Sequence, residues 1–164
     1  MNKFDLAVLT IRVGLGLSIV LHGLNKAKSI EGTSSWFSSI GMKWPKQQAL
    51  LASTTELSAG ALMILGFFTP FSCIAIIAVM TVAIITVHAK VGYFIFLPNG
   101  GWEYCASIIV VAASLALLGP GRWSIDHALH FSQFFGLFAV PIGIMCALCQ
   151  LLLCWRPPSA STKS

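Results

Sequence analysis

The chain has 164 residues, 57% of them hydrophobic and only 9% charged, with a mean hydropathy of +0.86. A soluble domain carries charge on about a quarter of its residues, so this chain lacks the polar surface to cover a water-facing globule, a requirement that lipid removes. The net charge of +5 does not point to nucleic acid, because the Lys and Arg are scattered singly and form no run that could track a phosphate backbone.

Lys3 before an apolar run imitates a signal peptide. Arg12 interrupts the run and no small-x-small cleavage site follows, so the segment reads as a retained helix. Its apolar part, Leu6 to Leu24, is long enough at about 1.5 Å per residue to cross a hydrocarbon core of about 30 Å. Asn25 to Gln48 mixes Lys26, Lys28, Glu31, Lys43 and Lys46 with Trp36, Phe37, Ile40 and Trp44. That mixture suits a segment lying on the membrane surface. Pro45 stands where a helix is expected to begin.

A second span is predicted from Ala49 to Phe68 and a third from Phe71 to Val87, with Thr69-Pro70 as the turn between them. Gly92 to Gly101 forms a connecting loop. A short fourth span, Glu103 to Leu118, stops at Gly119-Pro120-Gly121. The last apolar run, Phe134 to Leu153, reads as a fifth helix or an interfacial hairpin, with Pro141 and Gly143 expected to kink it. The expected fold is an all-α integral membrane protein. Residues 1–130 form a four-helix transmembrane bundle, residues 131–155 an additional hydrophobic helix, and residues 156–164 a disordered polar tail.

Ionisable residues within spans are rare, since each costs at least about 2.5 kcal/mol at a helix centre. Here they are Arg12 and His22 on the first helix, Glu56 on the second, His88 ending the third and Glu103 opening the fourth. Antiparallel threading is expected to gather His22, Glu56, His88 and Glu103 toward one face, with Glu56 deepest. Arg12 is expected to reach Glu56 by snorkelling and pair with it. Gly60 beside Glu56 and Ser107 beside Glu103 suit close packing around that polar centre. Glu56, Glu103 and His22 are the candidate catalytic residues, and Arg12, Lys26, His88 and Trp102 the candidate ligand-binding ones.

Five cysteines, Cys73, Cys105, Cys146, Cys149 and Cys154, show no metal-ligand spacing. Cys146-x-x-Cys149 is expected to serve helix packing rather than redox chemistry. His22 with His88 is a weak haem signal. No metal or haem is expected.

His22-Gly23-Leu24-Asn25-Lys26, then Thr55-Glu56-Leu57-Ser58-Ala59-Gly60 with Leu65-Gly66, then Gly100-Gly101-Trp102-Glu103-Tyr104, then Leu118-Gly119-Pro120-Gly121-Arg122-Trp123-Ser124-Ile125-Asp126 together resemble the DoxX family. Arg12 matches the arginine of that family's first helix. The resemblance covers residues 4 to 129 and does not extend to the last apolar run or the cysteine-rich tail. It implies a small four-helix bacterial membrane protein of the kind labelled an oxidoreductase, with family ties to quinone-linked sulfur oxidation and to thiol-detoxifying partners.

On five spans, Lys26, Lys28, Lys43, Lys46, Lys90, Arg156 and Lys163 share one side against Lys3 and Arg122 on the other. The positive-inside rule puts the richer side in the cytoplasm of a bacterial inner membrane. The expected function is a redox subunit binding quinone between helices. Glu56 and Glu103 would exchange protons, His22 would hydrogen-bond a carbonyl, and Arg12 would hold an anionic form. No dinucleotide fingerprint, iron–sulfur cysteine set or P-loop is present, so electrons are expected from a partner protein. The competing reading is a non-enzymatic lipid- or cargo-binding module that holds a headgroup through Arg12 and Lys26. Gly14 and Gly16 permit close helix contact within one chain or between copies in a homo-oligomer.

Overall fold

A computed structural model describes residues 2–158, so Lys163 and most of the expected polar tail lie outside the described residues. Among the described residues there are seven α-helices and no strand: α1 (Lys3–Lys28), α2 (Ile30–Ser39), α3 (Pro45–Leu65), α4 (Thr69–Ala83), α5 (Glu103–Leu118), α6 (Ile125–Ala128) and α7 (Ala139–Cys154). A π-helical turn, Ile84–His88, extends α4, and a 3₁₀ turn, Phe134–Phe138, leads into α7. This is an all-α membrane protein. Lys3–Lys28, Pro45–Leu65, Thr69–His88 and Phe134–Cys154 are long and apolar enough to cross a membrane. The shorter α5, at 16 residues, spans about 24 Å.

The helices alternate in direction. α1 packs on α3, α3 on α4, α4 on α5, and α5 returns to α1, closing a four-helix ring. α7 lies outside the ring against α4, and α2 lies against α3. The bundle therefore has a near end, holding the start of α1, the α3–α4 turn and the 119–133 segment. Its far end holds α2, the 89–102 loop and the end of α7.

Leu17, Leu21, Val110, Leu117 and Leu152 are exposed, which in water would expose a prohibitive apolar surface and in a bilayer meets lipid. Buried positions are small or aliphatic: Ala59, Met63, Cys73, Ile76, Ile77, Ala112 and Leu115. Glycine sets the α1–α3 spacing. A Cβ on Gly60 would lie 2.7 Å from the Gly16 carbonyl oxygen, and one on Gly23 would lie 2.9 Å from the Leu57 amide nitrogen. These small residues let the two backbones touch and fix the register.

The last apolar run is a helix packed along the bundle. Pro141 sits in the first turn of α7, where a missing N–H breaks no intrahelical bond. Gly143 is a contact point, since its Cβ would meet the Ile77 side chain at 2.8 Å. The end of α7 is tied to the α2–α3 connection. The Lys43 amide donates to the Cys154 carbonyl at 2.7 Å, the Arg156 amide to Gly41 at 2.9 Å, and Trp155 Nε1 to Ile40 at 2.7 Å. All five cysteines are free, and Cys146 and Cys149 are exposed on the outer face of α7. They do not serve helix packing as the sequence reading expected; Ala139, Gly143, Ala147 and Leu151 do.

Candidate functional site

At the near end the Arg12 side chain is 1% exposed. Its guanidinium donates to the carbonyl oxygens of Pro120, of Trp123 (2.6 Å) and of Ile64 (3.3 Å). The Ile64 oxygen is one of the carbonyls left without an intrahelical partner in the last turn of α3. Arg12 thus joins three segments distant in sequence. Gly66 is required beside it on two counts. Its φ is +64°, and a Cβ there would lie 2.7 Å from Arg12 Cζ.

The same segment supplies Asp126, whose two carboxylate oxygens accept the amides of Phe68 (2.8 Å) and Thr69 (2.9 Å). Phe68 is left-handed at φ 50° and offers α4 no side-chain cap, so a carboxylate from 58 residues on caps that helix. Asp126 N donates in turn to the Gly66 carbonyl at 2.9 Å, and Asp5 Oδ1 accepts the Arg122 amide at 3.1 Å. The Gly119-Pro120-Gly121 segment is a latch over Arg12 and the α3–α4 turn.

Toward the far end, Lys26 and Glu56 form the only ion pair among the described residues, with Lys26 Nζ 2.7 Å from both carboxylate oxygens. Glu56 is 2% exposed and Lys26 20%. The expected Arg12–Glu56 pair is therefore not formed. The antiparallel register set at Gly16–Gly60 and Gly23–Leu57 places Glu56 opposite residues 23–26. Arg12 falls opposite Ile64, about 12 Å away along the axis for an offset of about eight residues. Ser53 Oγ donates to the Gly23 carbonyl at 3.1 Å and strengthens that contact. A cleft beside Glu56, walled by Ile19, Ala59, Ile76 and Met80, leaves no room for a water molecule, so the expected open chamber is closed here.

Ser18, His22 and Lys26 recur every four residues and form one polar stripe along α1. Tyr104 of α5 meets the stripe from the other side, its hydroxyl 2.8 Å from Ser18 Oγ and 3.3 Å from His22 Nε2. The Tyr104 and His22 rings lie 5.9 Å apart. Both residues are exposed between α1 and α5, so a polar edge opens on a surface otherwise made of leucine and valine. The four-residue spacing of Ser18 and His22 was the available signal for this edge. Tyr104 carried no such signal, because only the α1–α5 contact brings it there.

His88 and Glu103 fold the 89–102 loop. His88 Nδ1 is 2.8 Å from the Gly100 carbonyl oxygen, so the ring donates there. Glu103 Oε2 accepts the Ile95 amide at 3.1 Å, and its own amide donates to Tyr93 at 2.9 Å. Trp102 packs edge-on against Tyr93 at 4.6 Å. The predicted five-residue chamber is thus three separate arrangements: an Arg12 latch, a Lys26–Glu56 stripe continuing through His22 to Tyr104, and a loop stapled by His88, Glu103 and Trp102. No group of three or more His, Cys, Asp or Glu among the described residues could hold a metal ion.

Fold and site together define a small all-helical membrane protein whose first helix carries a buried arginine in one half and a partly exposed, ion-paired lysine in the other. The DoxX family profile matches residues 7–89. The chain is similar to the Bacillus subtilis (strain 168) protein named "Putative oxidoreductase CatD", 32% identical over 127 residues that cover 77% of this chain and 90% of that one. It is also similar to "Inner membrane protein YphA" of Escherichia coli (strain K12), 30% identical over 129 residues covering 73% and 88% respectively. No solved structure gives a significant match. The chain belongs to the DoxX family.

Proposed function

We propose that the protein is a multi-pass inner-membrane oxidoreductase subunit in which a quinone approaches from the lipid and is held at the Ser18–His22–Tyr104 edge. One observation carries this reading: a hydrogen-bonded Tyr–His–Ser set lies exposed on the outer surface between α1 and α5 and runs back along α1 to a partly buried ion pair. A quinone supplies two carbonyl oxygens that take up protons as the ring is reduced. Tyr104 Oη and His22 are the groups able to donate a hydrogen bond to such a carbonyl and to pass a proton to it. Glu56 and Lys26 hold the stripe's inner end and keep α1 in register against α3.

The redox label comes from the relative's printed name, and electrons are supplied by a partner protein. The inner-membrane placement follows the printed name of the other relative. The positive-inside rule turns the far end, with Lys26, Lys28, Lys43, Lys46, Lys90 and Arg156, to the cytoplasm. A thiol-linked reaction has less behind it, since Cys73 and Cys105 are buried on different helices and the exposed Cys146 and Cys149 lie on α7, outside the four-helix ring and off the α1–α5 edge. The competing headgroup reading through Arg12 and Lys26 has lost its ligands, because one is held by carbonyl oxygens and the other by Glu56.

Equilibrium titration of the full-length protein in nanodiscs with a short-chain ubiquinone analogue tests the proposal. Saturable binding is expected, weakened about tenfold by Tyr104→Phe through loss of one hydrogen bond. His22→Gln is expected to weaken it similarly. Absence of saturable binding, or wild-type affinity retained in both variants, overturns the assignment.

A further inference from the structure

The near end carries a second arrangement that the redox reading does not use. An open basin of about 510 Å³ lies between the end of α5, the 119–133 segment and the start of α1. That volume is in the range of small-ligand sites.

Its acidic groups are already engaged. Both Asp126 oxygens accept backbone amides and Asp5 Oδ1 accepts the Arg122 amide. Its basic groups are not. Among the described residues, no hydrogen bond or ion pair engages the guanidinium of Arg122 or the rings of His127 and His130, although all three line the basin and all are exposed.

His130 is held there by a left-handed backbone, φ 52°, a conformation uncommon outside glycine. Gln133 adds an acceptor. Its Nε2 donates to the Phe131 carbonyl at 3.1 Å, while its Oε1 is buried without a partner. The remaining wall is apolar, from Leu117, Leu118 and Phe131, and Leu117 and Leu118 are exposed on the lipid side of α5.

We infer that this basin binds the phosphate of an anionic phospholipid whose headgroup also bears hydroxyl groups. Arg122, with His127 and His130, meets the phosphate oxygens. Gln133, turning its buried Oε1 out into the basin, accepts a headgroup hydroxyl, which would satisfy the orphan acceptor. The leucines receive the first part of the acyl chains. A soluble phosphate ion would use the same cations but would leave Gln133 Oε1 and the apolar wall without a partner. That difference favours the lipid. The inference is independent of the quinone edge, which lies on the other half of α1.

The test is native mass spectrometry of the full-length protein released from mild detergent containing phosphatidylglycerol or phosphatidylcholine. Phosphatidylglycerol is expected to be retained about tenfold better, and the preference to disappear in the combined Arg122→Gln, His127→Gln, His130→Gln variant. Among the described residues no hydrogen bond or ion pair depends on these side chains, and circular dichroism checks that the variant folds. Arg122→Lys with both histidines intact is expected to keep the preference within about twofold, because the charge survives. Equal retention of the two lipids, or an undiminished preference in the triple variant, overturns the site. So does an equal loss in Lys46→Gln at the far end, which would show surface charge alone at work. Displacement of phosphatidylglycerol by millimolar inorganic phosphate overturns the lipid assignment; its failure to displace supports it.

Discussion

The two halves of α1 each hold a cation, Arg12 buried and Lys26 partly exposed, and they do so by different chemistry. Arg12 is surrounded by backbone carbonyl oxygens from the end of α3 and from the latch, whereas Lys26 faces a single carboxylate from the middle of α3. A planar guanidinium with five donors can bridge several carbonyls at fixed angles, and an ammonium acts as a compact point charge. The Arg12 end is therefore a structural knot. The Lys26 end, one-fifth exposed and continuous with an outward Tyr–His edge, has the reach and the titratable groups for chemistry.

The contrast can be broken first at the knot. Arg12→Met should lower stability by the largest amount, on the order of 3–5 kcal/mol, because the Pro120, Trp123 and Ile64 carbonyl oxygens lose their donor and a void opens. Equilibrium unfolding in mixed micelles would measure it. Arg12→Lys should recover only a minor part, since one ammonium cannot span three acceptors. Near-full recovery would mean that charge, not the fork geometry, holds the latch.

Gly66→Ala comes next. The left-handed conformation alone costs about 1–2 kcal/mol, and the new methyl presses on the Arg12 guanidinium, so the same unfolding assay should show a loss of at least that size. Glu56→Gln should cost less than Arg12→Met, about 1–2 kcal/mol, because the freed Lys26 ammonium can swing toward the far-end interface. A loss as large as that of Arg12→Met would show that Lys26 is trapped, and the two ends would then be alike. Tyr104→Phe should leave stability within about 0.5 kcal/mol, as an exposed hydroxyl with exposed partners, while weakening quinone binding. That split between unchanged stability and reduced binding separates a functional edge from a packing contact.

Several features were legible along the chain. The apolar runs with their Gly and Pro boundaries announced the helices, since only lipid tolerates such sequences and only helices satisfy their backbone there. The motif that ends in Asp126 was also visible, but its job was not. Phe68-Thr69-Pro70 shows no side chain able to cap α4, which signals a missing acceptor without naming the residue that supplies it.

The polar partners were the least legible part. Arg12 and Lys26 both had the reach to meet Glu56 on sequence grounds, and nothing local distinguished them. His88 and Glu103 looked like members of one chamber, with Trp102 a ligand-binding candidate beside them, because threading alone brings their helix ends together. In the folded chain they are occupied with the 89–102 loop.

Composition and periodicity determined that this chain lives in a membrane as antiparallel helices, because the transfer of apolar surface does not depend on which neighbour covers it. Partner choice depended on register. Glycines at 16, 23 and 60 bring α1 and α3 into backbone contact at one offset, and that offset alone hands Glu56 to Lys26 and leaves Arg12 to the carbonyls of the latch. Such contacts act over a few ångströms between residues dozens of positions apart, so they exist only once the helices have docked.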